Sequence, residues 1–452
     1  MVLVYFCTHM KNEFKATLLI AIPLILSNLT QIAYSLIDTA MIGVLGYKEL
    51  AAASLVSNVI AIPMVIGMGL MMAITPLVAI ANGQKNLHKS AHLLYNGWGL
   101  SIIAGIILAL IVHLIAYFLK DMGQDSAVSI LAKNYLIIMG YSLIPMMVFI
   151  ACKHFSDGLQ FTKTAMVLSL CSLPLNAFLC WAFIYGKWGM PIMGVNGAGM
   201  ATLISRIALA IAMLMVVFKH KVYAPYRLIK KESWHFKKST FKEIFSIGIP
   251  SSLQYCMEAG AFSVSGIMVG WLGAVQQAAH QIALNCASAT FMVALGFSLA
   301  GSIRVSNAYG RKNVLSIFLI GKSTAYTGLA YGTIAGLVLI LLGRFLPSVF
   351  STNKEVNSLA TSLLIFAAIF QISDATQAIG VGLCRGVKDV VRPTIYVAIA
   401  YWIVGIPMGY ILAFSFKMGA AGIWIGLVVG LSISSILLNI RFFKSIKYLS
   451  FK

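Results

Sequence analysis

Residues 22–46 read IPLILSNLTQIAYSLIDTAMIGVLG, and residues 249–273 read IPSSLQYCMEAGAFSVSGIMVGWLG. The two stretches align without a gap: Pro23 with Pro250, Met41 with Met268, Gly43 with Gly270, Gly46 with Gly273. The register continues through Ala51 and Ala278 to Asn58 and Asn285, always 227 residues apart. Any two apolar helices share Gly and Ala, but a proline and an asparagine held in one register point to an internal repeat. Each stretch is also apolar over about 20 residues, the length of helix that crosses a bilayer. A weaker echo pairs NGAG at 196–199 with GAAG at 419–422.

Apolar runs of this kind fill the chain. Sixty per cent of the 452 residues are hydrophobic and 10% are charged, too few charges to cover a water-soluble protein of this length. The expected spans are 16–41, 50–80, 91–119, 131–153, 165–186 and 197–218, then 245–271, 276–303, 316–343, 356–383, 394–416 and 420–441. The fold class is therefore all-α integral membrane, with twelve transmembrane helices in two pseudo-symmetric six-helix bundles. The domain boundaries follow: a segment 1–15, a bundle 16–218, a basic linker 219–244, a bundle 245–441 and a tail 442–452.

A formal charge of +21 in a soluble protein would suggest nucleic acid. Here its distribution argues for topology. Of the 33 Lys and Arg residues, 24 fall in the termini and even-numbered connections, eight of them in 219–242, and seven fall in the odd-numbered connections. The positive-inside rule then places both termini in the cytoplasm; the expected location is a plasma membrane, the inner membrane of a bacterium. Six spans per half insert both halves the same way, so they relate by an axis along the membrane normal. Transporters built this way hold substrate near the midplane.

Three acids stand inside the expected spans: Asp38, Glu258 and Asp374. A charge at the bilayer centre costs several kcal/mol, so such groups face a bundle interior and mark ion or proton work. Helical spacing gives each polar company on its own face. Asp38 follows Ser35 and Gln31, Glu258 follows Gln254 by one turn, and Asp374 stands between Gln371 and Gln377. Span eight adds Gln281, Asn285 and Ser288, and span two adds Ser54 and Asn58. Phe262, Phe291 and Phe370 lie on spans seven, eight and ten, where a ring face can hold a desolvated cation. A carboxylate that exchanges a proton, or a sodium ion, for a lipophilic cation is the simplest basis for antiport. Arg206 and Lys322 are the two cations within the spans; both are expected near span ends, with their long side chains snorkelling outward.

No enzyme motif survives inspection. The seven cysteines show no metal spacing, and the eight histidines form neither an HExxH pattern nor a cluster. The opening MVLVYFCTH has too short an apolar core for a signal peptide. No cofactor is expected beyond the coupling ion, Na+ or H+.

Residues 247–285 resemble the seventh and eighth spans of the MATE (multidrug and toxic compound extrusion) exporters. Residues 372–393 resemble the tenth span and following loop, including the G-x-x-R-G-x-x-D run from Gly382 to Asp389. AYWIVGIPMGY at 400–410 and GAAGIWIGL at 419–427 resemble spans eleven and twelve. Glu258 and Asp374 match the acidic pair of the NorM branch, and Asp38 matches its acid of span one. The resemblance implies a secondary antiporter, working as a monomer, that exports cationic amphipathic drugs or metabolites against inward Na+ or H+. Glu258 and Asp374 would be the sodium ligands. It also implies that Gln281 and Phe291 line the C-terminal cavity, with Phe262, Phe370, Asn176 and Asn58 as further substrate contacts. Asn176 matches a polar position of span five, but Cys180 occupies a site that is acidic in other branches. That substitution shifts the expected coupling toward Glu258 and Asp374. A lipid-linked oligosaccharide flippase of the same superfamily is the alternative; it would need more intramembrane Arg and Lys than this chain has.

Overall fold

The computed structural model describes residues 2–119, 126–227 and 237–449, and these are helical with no strand among them. Part of the expected linker, 228–236, and the tail end, 450–452, lie outside the described residues. Eleven helices are long and apolar enough to cross a membrane: α1 Met10–Gly43, α2 Tyr47–Gly83, α3 Leu87–Tyr117, α4 Ser126–Gly158, α5 Thr162–Tyr185, α6 Val195–Lys219, α8 Ala274–Gly310, α9 Val314–Leu341, α10 Lys354–Gly386, α11 Val391–Ser415 and α12 Ala420–Lys447. The twelfth, α7, runs Lys238–Gly270 and at 33 residues is long enough. Its run of Ser251, Ser252, Gln254 and Glu258 makes it less apolar than the rest. Polar residues in the middle of a spanning helix lower its hydropathy while equipping its buried face.

Proline explains where these helices break. A proline ring removes one N–H and crowds the carbonyl four residues earlier. In α2 the helix Tyr47–Met71 gives way to Ile74–Gly83 just before Pro76. In α4, Ser126–Tyr141 gives way to Leu143–Gly158 just before Pro145. In α11 a π-helical stretch, Ile399–Gly405, precedes Pro407. Pro23, Pro63, Pro174 and Pro250 lie inside uninterrupted helices.

Two compact units divide the chain, Leu26–Ser252 and Met1–Ile25 with Leu253–Lys452. They do not end where bundles 16–218 and 245–441 were drawn. The first unit takes the start of α7, where a Cβ on Gly69 would stand 2.5 Å from the Ser252 Cα. The second takes the start of α1, where Gly296 leaves no more room against Ile25. In that unit Arg304 of α8 grips Glu13 and donates to Thr17 Oγ1 at 2.6 Å.

The repeat reaches into the turns. After α2, Lys85 adopts φ 55° and donates to Asn82 at 3.0 Å, while Asn86 donates to Ala81 at 2.9 Å and caps Lys89 at 2.9 Å. After α8, Lys312 adopts φ 57° and donates to Tyr309 at 3.0 Å, while Asn313 donates to Ala308 at 3.1 Å and caps Ser316 at 2.9 Å. The weaker echo is real but two residues out of the register assigned from sequence. Gly194 and Gly419 both cap their helices at positive φ, 54° and 60°. Three residues on, Gly197 meets the backbone of Phe183 as Gly422 meets that of Ala413. The offset is therefore 225 there, because the loop before α12 is shorter.

Candidate functional site

Asp38 marks a site in one unit, Glu258 and Asp374 mark a site in the other, and the repeat register does not superimpose them. An offset of 227 pairs Asp38 with Ser265 and Glu258 with Gln31, so the acids of α1 and α7 sit two turns apart on equivalent helices.

In the unit Leu26–Ser252, Asp38 is half-buried and surrounded by donors. Asn176 Nδ2 donates to its Oδ1 at 2.9 Å, and the Cys180 thiol donates to the same oxygen at 3.3 Å. Thr202 Oγ1 donates to Oδ2 at 3.1 Å. Asn176 and Cys180 stand one turn apart on α5, and Thr202 comes from α6. Arg206 also acts on Asp38 electrostatically, but its Nη1 donates to Ser142 Oγ at 2.6 Å. Among the described residues it forms no ion pair with Asp38. Arg206 lies in the middle of α6, not near a span end, so snorkelling does not explain it.

In the other unit, Glu258 on α7 takes two amide donors on one oxygen. Gln254 Nε2 donates to Oε1 at 3.2 Å and Gln377 Nε2 at 2.8 Å, the latter from α10. Asp374 lies one turn before Gln377 on α10 and is 4% exposed. Glu258, Tyr331 and Tyr401 act on it electrostatically. Among the described residues no hydrogen bond reaches the Asp374 carboxylate. A buried carboxylate so placed needs a proton or a cation beside it.

Below Glu258 a pocket lined by Gln254, Tyr255, Phe291, Ser298, Gln377 and Arg385 leaves about 10 Å³. That is room for about one water or a dehydrated ion, and far too little for a drug.

The expected substrate contacts are scattered. Phe291 lines the pocket and packs on Ala294, Ala375 and Ala378. Phe262 and Phe370 belong to an edge-to-face aromatic stack, 6.0 Å apart, that continues to Trp424 at 5.7 Å. Phe370 is only 2% exposed, so it is packing as the helices stand. Gln281 is exposed and donates to Asn285 at 3.0 Å, and Asn58 is exposed on α2. Asn176 alone of the expected polar contacts touches an acid of its own unit. Among the described residues no three His, Cys, Asp or Glu side chains gather into a metal cluster. Sodium at Glu258 and Asp374 would rely on amide, hydroxyl or carbonyl oxygens for its remaining ligands.

Thr202 and Arg385 are additions that sequence reasoning missed. Thr202 gives no signal, being one hydroxyl in an apolar run. Arg385 was placed in the connection after span ten, but α10 runs to Gly386 and buries it. Asp157 was likewise placed outside a span. It lies inside α4, buried beside the equally buried Lys153.

The MatE family model matches residues 23–182 and 250–411, once in each half. The chain is 33% identical over 441 residues to a probable multidrug resistance protein NorM of Mesorhizobium japonicum, covering 96% of this chain and 94% of that one. It is 30% identical over 441 residues to the multidrug resistance protein NorM of Vibrio cholerae, covering 96% of each. Among solved structures, the outward-facing conformation of a multidrug resistance MATE family transporter matches with a TM-score of 0.89 at 19% identity, over 97% of each chain. The eukaryotic MATE transporter AtDTX14 matches with a TM-score of 0.88 at 23% identity, over 97% of this chain and 98% of that one.

Proposed function

The chain belongs to the MatE family, and from that premise we propose that it exports cationic amphipathic compounds in exchange for inward H+ or Na+. One observation carries this reading. Among the described residues Asp374 is buried without a hydrogen-bond donor, beside Glu258, whose own partners are two amides and, electrostatically, Arg385. Two acids against one guanidinium leave a net negative charge, which a proton or a metal cation neutralises.

The exchange follows from this. With the coupling ion at Glu258 and Asp374 the site is close to neutral, and a drug cation gains little there. When the ion leaves, the carboxylates attract a cation, and the drug meets that demand. Gln254 and Gln377 keep the Glu258 oxygen oriented through both states. Phe291 and Gln281 are the nearest candidates for drug contact. Phe370 joins them only if the aromatic stack opens. Asp38, held by Asn176, Cys180 and Thr202, serves the other unit as a proton carrier, because a thiol is a poor ligand for a hard cation such as sodium. The protein acts as a monomer in the bacterial inner membrane with both termini in the cytoplasm.

Inverted vesicles supply the test. A fluorescent dye cation should accumulate when either a sodium-loaded or an acidic lumen is imposed separately. Accumulation that ignores both gradients overturns ion coupling.

A further inference from the structure

Four residues of α10, Asp374, Gln377, Val381 and Arg385, follow at spacings of three and four and therefore share one face. The face begins with an acid and ends with a guanidinium. Arg385 is 2% exposed, one of the largest fully buried side chains in the molecule, and lines the same small pocket as Glu258. Its Cζ stands 5.9 Å from the Tyr255 ring centroid on α7. Tyr255 precedes Glu258 by one turn, so Tyr255 and Arg385 lie on the same side of the acids, toward the end of α10.

We infer that Arg385 is the barrier that stops cations at Glu258 and Asp374 from leaking out past the end of α10. This rests on the reading of the two acids as coupling residues. A guanidinium stays charged, and its planar face is held by the ring of Tyr255. A pocket with room for about one water forces any ion in it into contact with whatever closes its end. A fixed positive charge there opposes a passing cation, as arginine does in water-selective pores. Arginine thus leaves the acids free to exchange their ion with drug while closing the short route that would dissipate the gradient. Arg385 also acts electrostatically on Glu258, so the competing role is that of a counterion, which would alter the ion dependence of Glu258 without opening a leak.

Proteoliposomes without drug separate the two roles. Uptake of radioactive sodium and collapse of an imposed pH gradient are measured for the native protein, Arg385→Gln and Arg385→Lys. The native protein and Arg385→Lys should be tight, and Arg385→Gln should leak at least one of the two ions roughly tenfold faster. Arg385→Gln vesicles as tight as native, with melting temperature and dye binding retained, overturn the barrier while leaving Glu258 coupling intact. A leak that persists in the Arg385→Gln, Glu258→Gln double variant overturns the route through Glu258. Should Arg385→Gln fail to fold, Tyr255→Phe carries the test. It keeps the ring but removes the hydroxyl that meets Arg385, and a leak of sodium or protons above the native rate is expected. Tight Tyr255→Phe vesicles would then count against the barrier.

Discussion

Gln377 on α10 donates to the Glu258 carboxylate on α7 at 2.8 Å, a bond between residues 119 positions apart. It orients the acid from across the unit, and Gln254 does so from its own helix. A hydrogen bond to a charged group contributes about 1.5–3 kcal/mol. Gln377→Leu should therefore slow ion-driven dye efflux about tenfold with expression unchanged, measured as initial rates in inverted vesicles. Native rates would show that the amide is not needed to hold Glu258.

Asp38 lies among Asn176, Cys180 and Thr202, with no second acid hydrogen-bonded to it among the described residues. Asp38→Asn should impair transport while sodium binding to the purified protein stays largely intact by titration calorimetry. Complete loss of sodium binding in that variant would move the sodium site to the Leu26–Ser252 unit.

Packing of α11 on α12 depends on bare backbone. A Cβ on Gly426 would stand 2.5 Å from the Gly405 carbonyl oxygen and the Gly409 Cα. Neither of these atoms can swing aside, so Gly426→Ala should cost about 1–3 kcal/mol. The melting temperature in detergent should fall by a few degrees. An unchanged melting temperature would mean the two helices separate freely.

The basic residues predict orientation. Ser239, exposed at the start of α7, should be on the cytoplasmic face. A cysteine placed there should resist an impermeant thiol reagent in intact cells and react in inverted vesicles. Labelling from outside the cell would reverse the topology.

The spans were legible because a bilayer demands long apolar runs, and even α7, the most polar, kept enough of that pattern around Glu258. The turns were legible only as identities: Gly46 with Gly273 pointed at a shared cap, whereas the Gly194 and Gly419 caps were misread by two residues among many Gly and Ala. Two spans end short of their helices: 131–153 where the helix runs to Gly158, and 356–383 where it runs to Gly386. Asp157, Lys153 and Arg385 are charges buried by neighbouring helices at such ends, and no window along a single helix reports that. The approach of Gln377 to Glu258, or of Thr202 to Asp38, is tertiary and has no periodicity to betray it. Burial separates the aromatic residues: Phe291 lines the pocket with Glu258, whereas Phe370 does not. Phe370 looked like a substrate contact one turn from Asp374, but its ring is buried between Phe262 and Trp424.

The most direct test removes both carboxyl charges while keeping their shape. The Glu258→Gln, Asp374→Asn double variant should fold, since an uncharged amide costs less to bury than an ion. Dye accumulation is then compared in inverted vesicles with a sodium-loaded or acidic lumen. The account predicts that both gradients cease to drive accumulation, and that dye binding to the purified variant no longer responds to sodium or pH. As a control, Asp389→Asn, which releases Arg441 at 2.6 Å in the same unit, should keep its ion dependence even at lower activity. Gradient-driven accumulation at the native rate in the double variant would contradict the account and leave Glu258 and Asp374 as structural partners.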